Sequence, residues 1–464
     1  MKTKIQEIIT TILRKTEIYK TGQSKESRKQ KGQFFSSLAI AQFMANQLAA
    51  PELTEVSILD PGAGNGLLGF MALAKCLEWK TAKSISLTYI ENDPEVLPIL
   101  QWLKIEVENC LSTTEVKIQV HILQDNFILK SFADKRFDIL ISNPPFVKIA
   151  RKSAEAAAMS EYVFGQPNMY ALFSLKGLSL LKSDAQFVLI TPRSWTSGNY
   201  FVRMREYVAE NVSIEKIHLF DSRDRVFSDE DVLQETMIWT GRIAEQKRSI
   251  TVSISKNDQF ADVTTFSGNS SMLLSDNPDK NIFLPSSYQD YCLLAKMREQ
   301  KNTFDSLGYI FKTGPVVEFR CKNALSKQKR DNYIPMLRPS NIQKGGFCFP
   351  LDIGKAQYVD VQNNPAFVIP NTPTVLVRRL SAKEEPRRLQ CCAYRPIPDE
   401  NNISVENHVN YLIRKDGKPI SEEEMYWACN LLTSDQYECY FRMLSGSTQV
   451  NARELNMLPV EGRL

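Results

Sequence analysis

The sequence of 464 residues is poor in the side chains from which metal sites are built. Its three histidines, His121, His218 and His408, lie too far apart in the chain to suggest a zinc cluster. The nine cysteines are scattered, and no two of them have the spacing that is typical of metal ligands. We therefore expect no bound metal, histidines with structural roles, and free thiols in a reducing compartment.

The sequence also lacks the features of a protein that enters or crosses a membrane. No run of about eighteen apolar residues occurs, and the N-terminus is polar and basic rather than a charged head followed by an apolar stretch. We expect a cytoplasmic protein without a membrane partner.

The formal net charge is a modest +4, but the charge is unevenly distributed. Residues 312–395 contain fifteen Lys or Arg against six Asp or Glu, and residues 1–31 contain nine against three. A local excess of positive charge suits a polyanion such as a nucleic acid. Because a solvated surface can have the same composition, the charge alone does not identify a partner.

The stretch from Val56 to about Trp239 alternates short β-branched runs with helical patterns. The predicted strands are Val56–Leu59, Leu87–Ile90, Lys117–Leu123, Phe137–Ile141, Gln186–Ile190, Lys216–Phe220 and Glu235–Trp239. The helical patterns between them include Leu67–Trp79, Asp93–Val107 and Asn168–Leu181. This alternation predicts an α/β fold, in which a mostly parallel sheet is covered by helices on both faces.

Composition divides the chain into three parts. Residues 1–245 contain the α/β pattern and form a predicted first domain. Residues 246–284 are rich in Ser, Asn, Asp and Gly, which predicts a connector. Residues 285–464 are irregular, punctuated by proline and basic in the middle, and we expect them to form a second domain.

A glycine-rich loop follows the first predicted strand and opens the first helix, where a sheet of this kind places its ligand. It comprises Asp60, Gly62, Gly64 and Gly66, and glycines let a backbone turn sharply close to a bound molecule. Glu91 ends the second strand, where it can accept hydrogen bonds from ribose hydroxyls. A plain strand-turn-helix is the structural alternative. The glycine spacing departs from the G-x-G-x-x-G dinucleotide pattern, which favours S-adenosylmethionine as the cofactor.

Two residues near the third strand suit the other end of such a cofactor. Asp125 ends the strand and can accept a hydrogen bond from the adenine amino group of the cofactor, and Phe127 can lie against the adenine ring. A turn aspartate followed by a core phenylalanine is the alternative interpretation.

Asn143-Pro144-Pro145-Phe146 follows the strand Phe137–Ile141, beside the predicted cofactor loop. The exocyclic amine of adenine is a poor nucleophile, because its lone pair is delocalised into the ring. Acceptors for both amino hydrogens oppose charge build-up during methyl transfer. Asn143 can supply one acceptor and the Pro144 carbonyl the other, because consecutive prolines restrict the backbone. Phe146 offers a ring face on which the target base can stack. The alternative interpretation is that Asn-Pro-Pro is simply a turn after a strand.

These ordered motifs resemble those of the bacterial amino-methyltransferases of restriction-modification systems, specifically the adenine-specific gamma class of type II systems. The resemblance covers about the first half of the chain. It implies a Rossmann-like S-adenosylmethionine-dependent methyltransferase domain followed by a C-terminal target-recognition domain. It also implies N6-methylation of an adenine that is flipped out of duplex DNA.

The resemblance assigns roles to single residues. Gly32, Phe34 and Ser36 are similar to the N-terminal motif that packs around the methionine part of the cofactor, although Ser36-Ser37 replaces the commoner Thr-Pro. The loop from Asp60 to Gly66, with Glu91 and Asp125, matches the cofactor motifs, whereas Phe127 is displaced by one residue from the usual Asp-Phe. Phe227 is placed like the aromatic residue that contacts the flipped base opposite Phe146.

Four arginines in the basic stretch are candidates for contacts with DNA, namely Arg378, Arg379, Arg387 and Arg388. The implied partners are double-stranded DNA and a cognate restriction endonuclease that acts on the same site. Four alternatives remain: the modification subunit of a multi-subunit restriction complex, a protein glutamine methyltransferase, an RNA adenine methyltransferase, and a non-catalytic DNA-binding partner.

Overall fold

A computed structural model describes residues 1–113, 115–133, 136–221, 235–381 and 385–461. The chain divides into two compact units, Met1–Ser287 and Tyr288–Leu464, and each is described separately. No helix among the described residues is both long enough and apolar enough to span a bilayer.

The first unit begins with three helices and continues as alternating strands and helices. Its helices are α1 (Lys2–Thr21), α2 (Lys25–Lys31), α3 (Leu38–Ala45), α4 (Leu67–Trp79), α5 (Leu97–Leu111), α6 (Ala154–Ala158), α7 (Met169–Ser179), α8 (Val202–Asn211) and α9 (Ser270–Leu273) in the described residues. Its strands there are β1 (Glu55–Pro61), β2 (Ser84–Glu91), β3 (Lys117–Gln124), β4 (Phe137–Ser142), β5 (Leu181–Pro192), β6 (Ser213–Phe220), β7 (Thr236–Arg242), β8 (Ser249–Ser255) and β9 (Thr264–Asn269).

The strands of the first unit form a single mixed sheet in the order β3-β2-β1-β4-β5-β7-β6-β8-β9. The five strands from β3 to β5 run parallel, and β7 is antiparallel to both β5 and β6. All six residues of β4 are buried, as expected for a central parallel strand covered on both faces. The predicted α/β fold is confirmed, and each of the seven predicted strands overlaps a strand of this sheet.

The segment 246–284, predicted as a connector, is different in the structure. It contributes β8 and β9 to the sheet and belongs to the first unit, which ends at Ser287. Its Ser, Asn, Asp and Gly residues were the basis of the prediction, but Ile250 and Val252 of β8 are fully buried. β9 borders the sheet and β8 lies next to it, and strands in such positions need few apolar residues, so composition alone did not reveal them.

Parallel pairing determines where functional side chains meet. Because β1, β2, β3 and β4 run in the same direction, the residues that follow them lie at one edge of the sheet. The Ser142 hydroxyl donates to the Pro61 carbonyl over 2.7 Å, which ties the end of β4 to the end of β1. The glycine loop and Asn143 are therefore neighbours.

The second unit is mainly antiparallel. Its described helices are α10 (Tyr288–Arg298), α11 (Glu422–Thr433), α12 (Asp435–Leu444) and α13 (Ala452–Asn456). Its described strands are β10 (Asn302–Thr303), β11 (Tyr309–Thr313), β12 (Leu325–Ser326), β13 (Tyr333–Leu337), β14 (Ile342–Gln343), β15 (Gly346–Phe347), β16 (Tyr358–Asp360), β17 (Ile369–Pro370), β18 (Thr374–Arg378), β19 (Cys391–Tyr394), β20 (Asn402–Val405), β21 (Val409–Arg414) and β22 (Pro459–Val460). Two larger sheets have the orders β11-β21-β18-β19 and β12-β16-β13-β20-β17.

Candidate functional site

A cavity of about 620 Å³ lies at the carboxyl edge of the parallel strands of the first unit. Five groups of residues line it: the N-terminal segment before α3, the glycine loop, the turns after β2 and β3, the segment after β4, and the start of α7. The lining residues include Lys31, Gly32, Gln33, Phe34, Phe35, Gly62, Gly64, Glu91, Asp93, Asp125, Asn126, Phe127, Asn143, Pro145, Val147, Met169 and Phe173.

The glycine loop adopts a backbone that few other residues tolerate. Gly62 and Gly64 have φ angles of 69° and 53°, in the left-handed region. A Cβ on Gly64 would lie 3.1 Å from the Phe35 ring, and one on Gly62 would lie 3.3 Å from the Phe173 ring. The backbone N–H groups of Gly62 and Ala63 donate to the Ile90 carbonyl, which holds the loop against the end of β2.

Glu91 is buried beneath this loop and is held by three backbone N–H groups. Gly64 donates to Oε2 over 2.8 Å, and Asn92 and Asp93 donate to Oε1 over 2.9 Å each. Burial raises the pKa of Glu91, and the three N–H groups act against that rise. Oε2 accepts one of these bonds and a carboxylate oxygen has two lone pairs, so Oε2 retains capacity for a ligand hydroxyl.

Asp125 and Phe127 lie beyond β3 on the far wall of the cavity. The hydrogen bond from Lys130, 2.8 Å long, holds the pKa of Asp125 below its ordinary value. The Phe127 ring is buried, with its centroid 5.0 Å from that of Phe173. Lys176 of α7 fixes this turn, because its Nζ donates to the carbonyls of Ile128 and Lys130.

The near wall is a segment of residues 31–36, here called the N-terminal strap. Gln33 Nε2 and Lys31 Nζ donate to Asp93 Oδ2 over 2.6 and 2.9 Å, and the Tyr19 hydroxyl of α1 donates to the same oxygen over 3.1 Å. Burial alone would raise the pKa of Asp93, but the hydrogen bonds from Lys31 and its neighbours lower it below the ordinary value. Asp93 therefore clamps the strap to the turn after β2.

Asn143 is oriented by the same strap. Its Nδ2 donates to the Phe34 carbonyl over 2.7 Å and to the Ser36 hydroxyl over 3.3 Å. Its Oδ1 is buried and has no hydrogen-bond partner among the described residues. A buried acceptor without a donor costs about 1–3 kcal/mol, so a folded protein retains one mainly where a ligand supplies the donor.

The other residues of the tetrapeptide surround this amide. No donor in the described part of the chain reaches the carbonyl oxygen of Pro144. Pro145 lines the cavity and packs closely on Gly32, whose added Cβ would lie 3.1 Å from it. The Phe146 ring centroid lies 6.0 Å from that of Phe34 and 6.1 Å from that of Tyr170. Phe146 is half-buried and is not among the lining residues of the cavity.

The structure brings most of the predicted cofactor residues to one cavity but places three elsewhere. Gly32, Phe34, Gly62, Gly64, Glu91, Asp125 and Phe127 line the cavity. Ser36 instead contacts Asn143, and Asp60 lies below the loop, where its buried carboxylate accepts from the Gly69 N–H of α4 over 2.8 Å. Gly66 opens α4 with a φ of 77°, and a Cβ there would lie 2.7 Å from Leu100. Asp60 and Gly66 therefore shape the loop from outside the cavity.

The four arginines predicted to contact DNA all make intramolecular contacts within the second unit. Arg388 is 1% exposed and its guanidinium donates to the Ser447 carbonyl, which excludes it from a DNA-facing surface. Arg378 binds the Pro339 carbonyl and Gln390, Arg379 binds the Asn407 carbonyl, and Arg387 binds Asp435 and the Ser434 carbonyl. The prediction was wrong for Arg388, because a guanidinium has five donors that can satisfy buried carbonyls as readily as phosphates.

Phe227, predicted to contact the target base, lies outside the described residues. The sequence interpretation missed the clamp formed by Tyr19, Lys31, Gln33 and Asp93. The run Glu91-Asn92-Asp93-Pro94-Glu95 is the signal that could have indicated it. A second acidic residue two positions after the glutamate predicted to bind ribose needs cationic or polar partners when it is buried.

Comparison with known proteins identifies the family. Residues 64–227 match the family model of the Eco57I restriction-modification methylase. The Type II methyltransferase M.PstI of Providencia stuartii is 33% identical over 446 residues, which cover 93% of this chain and 87% of the relative. The Type II methyltransferase M.BsuBI of Bacillus subtilis is 28% identical, and the alignment covers 94% and 89% of the two chains.

Among solved structures, the cryo-EM structure of the DrdV-DNA complex matches with a TM-score of 0.50 at 12% identity. The match covers 88% of this chain and 52% of that chain, and it shows similarity of fold. The identity to M.PstI over nearly the whole of both chains is decisive, and it agrees with the glycine loop and the Asn-Pro-Pro-Phe segment described above. The chain therefore belongs to the type II restriction-modification methyltransferases, which are S-adenosylmethionine-dependent DNA methyltransferases.

Proposed function

We propose that this chain methylates the N6 amine of an adenine that is flipped out of duplex DNA. The observation that carries the proposal is Asn143 Oδ1, which is buried and has no donor among the described residues. Its amide is held in one orientation, because Phe34 offers a carbonyl that accepts from Nδ2 and cannot donate to Oδ1. The oxygen is therefore committed as an acceptor for an external N–H group.

We infer that the planar amine of adenine donates one N–H group to this oxygen and the other to the Pro144 carbonyl. Hydrogen bonds from both amino hydrogens draw electron density toward the nitrogen and oppose the positive charge that develops on it. Proline at positions 144 and 145 removes two backbone N–H groups that would otherwise compete with the amine as donors. Methyl transfer would form a bond from this nitrogen to the methyl carbon as the carbon–sulfur bond of the sulfonium breaks, and one amine proton would then pass to solvent.

The cavity residues fit the proposed cofactor. Gly62 and Gly64 leave space that a Cβ would fill, and Glu91 Oε2 retains an acceptor site for a ribose hydroxyl. Asp125 would accept from the cofactor adenine, and Phe127 would pack against its ring. When bound, S-adenosylmethionine supplies a methyl group on a positively charged sulfur, which is an activated leaving group.

The target base must leave the duplex to reach this site, because its amine is otherwise paired and stacked. Phe146 would provide one face for the extruded base. We propose that Phe227 contacts the opposite face of the extruded base.

We also propose the biological setting. The chain would protect DNA sites from a cognate restriction endonuclease in the cytoplasm. The second unit would act as the target-recognition domain, which binds duplex DNA and selects the sites.

Product analysis tests the proposal. The purified chain is incubated with tritiated S-adenosylmethionine and genomic DNA from a strain that lacks the modification, and the DNA is digested to nucleosides. The expected label is in N6-methyladenine. Label in a methylated cytosine, or no label in DNA, would overturn the adenine proposal. Parallel reactions with RNA and with a glutamine-containing peptide test the two alternative substrates, and activity of the chain alone separates it from a subunit that requires partners.

A further inference from the structure

The second unit has an exposed basic segment that differs from the four arginines considered above. Residues 319–330 contain five cations, Arg320, Lys322, Lys327, Lys329 and Arg330, and no acidic residue. All five cations are exposed. We call this segment the basic-aromatic surface, because Phe319 at its start is 70% exposed.

The fold holds these side chains outward. Cys321, Ala324 and Leu325 pack against a small buried cluster that contains Val316, Met336 and Val359. The residues between them therefore point away from the cluster, and Arg320, Lys322 and Asn323 are exposed. β12, at Leu325–Ser326, pairs with β16 and anchors the segment in its sheet.

Charge neutralisation is uneven along the segment. Lys329 pairs with Glu400 over 2.6 Å, and the Arg330 guanidinium lies 5.8 Å from the Tyr333 ring centroid. Glu318, the preceding acidic residue, is bound by the buried guanidinium of Arg338. Arg320, Lys322 and Lys327 have no carboxylate partner within the described residues. Three cations on one short segment are thus available to an anionic ligand.

Phe319 stands apart from the other apolar residues of the segment. It is exposed rather than packed in the cluster, and the Arg320 guanidinium lies 5.4 Å from its ring centroid. An exposed aromatic ring costs solvation free energy unless a partner covers it. Cations interleaved with an aromatic ring match a polymer that carries both phosphates and flat bases.

We propose that the basic-aromatic surface contacts duplex DNA, with Arg320, Lys322 and Lys327 on phosphates and Phe319 inserted as a wedge at a base step. This inference rests on the proposed function and assigns the DNA-contacting role to residues other than Arg378, Arg379, Arg387 and Arg388. Phosphate contacts are independent of sequence, so a duplex of arbitrary sequence is a valid probe.

The test measures binding of a short fluorescein-labelled duplex by anisotropy over a range of salt concentrations. The variant R320A/K322A/K327A removes three phosphate contacts, so the slope of log K against log salt should decrease in magnitude by about 2–3. The matched variant K80A/K83A/K117A removes the same charge from the first unit. Its three lysines lie at the amino edge of the sheet, whereas the cavity lies at the carboxyl edge, so this variant should retain the wild-type slope. An unchanged slope in the first variant would refute the phosphate contacts.

Phe319→Ala tests the aromatic part separately. It should weaken binding by about tenfold while leaving the salt slope unchanged, because an apolar wedge at a base step contributes to affinity without neutralising a phosphate charge. Wild-type affinity in this variant would refute the base contact. Calorimetric binding of S-adenosylmethionine should equal that of the wild type in each variant. A wild-type protein that methylates no DNA would overturn the proposed function; an active wild type with an unaffected triple variant would overturn this surface alone.

Discussion

The side-chain amide of Asn143 donates to the backbone carbonyl of Phe34 over 2.7 Å, although 109 residues separate the two in sequence. The N-terminal strap thus lines the cavity and also determines which way the Asn143 oxygen points. Loss of contacts in the strap should therefore affect the transfer step as well as cofactor binding.

Ser36→Ala tests this coupling. The substitution removes the second acceptor of Asn143 Nδ2, and a lost hydrogen bond of this kind costs about 0.5–1.5 kcal/mol. We expect a two- to tenfold decrease in the single-turnover methyl-transfer rate. Ser37→Ala is the matched control, because Ser37 caps α3 through the Ile40 N–H. It should lower the melting temperature and leave the rate unchanged; equal rate loss in both variants would contradict the coupling.

Gly64→Ala tests the glycine loop. An added Cβ would meet the Phe35 ring at 3.1 Å on the cavity wall, in a backbone that L-residues rarely adopt. We expect the Kd for S-adenosylmethionine to increase at least tenfold, measured by calorimetry. Gly417→Ala imposes similar strain at φ 74° but meets nothing within 4 Å. Both should lose about 1–2 kcal/mol of stability, and cofactor affinity should decrease in Gly64→Ala alone.

Asp93→Asn tests the clamp on the strap. The substitution weakens the acceptor shared by Tyr19, Lys31 and Gln33, so the strap should loosen. We expect KM for S-adenosylmethionine to rise and kcat to fall, each by about tenfold, because one to two charge-assisted hydrogen bonds are lost. Glu95→Gln changes a half-exposed partner of Lys31 and should alter both constants by less than twofold. Identical kinetics in the two variants would exclude the clamp.

Arg388→Ala tests the structural role of this arginine. Removal of a buried guanidinium that binds the Ser447 carbonyl should cost about 3 kcal/mol of stability, measured by urea unfolding. Arg320→Ala, at an exposed position, should change stability by less than about 0.5 kcal/mol. A stable Arg388→Ala protein with specifically weakened DNA binding would instead favour the contact with DNA that burial argues against.

The strands of the first unit and the polar residues at their ends could be predicted from the periodicity of the sequence. The parallel strands were recognisable from their apolar or alternating patterns; Glu91 ends β2, and Asp125 and Asn143 directly follow β3 and β4. Chemistry at the ends of parallel strands can therefore be predicted before their contacts are known. The helix Leu67–Trp79 was predicted with the same bounds that the structure shows, since the glycine loop marks its start.

Long-range partners explain what the sequence could not predict. Charge patterning selected Arg388 and not Arg320, but Arg388 is buried and binds the Ser447 carbonyl, 59 residues away in the chain. The orientation of the Asn143 amide depends on the strap, more than a hundred residues earlier. Two polar strands, β8 and β9, were mistaken for a connector because their apolar residues are few.

The central claim is that the Asn143 oxygen accepts a hydrogen bond from the adenine amine in the transition state. The most direct measurement is the single-turnover rate of methyl transfer to duplex DNA by Asn143→Ala, together with its Kd for S-adenosylmethionine. We predict a rate loss of at least about a hundredfold, the usual effect of removing one such hydrogen bond, with a Kd within threefold of the wild type. Near-normal transfer by Asn143→Ala would contradict the proposed role of this residue.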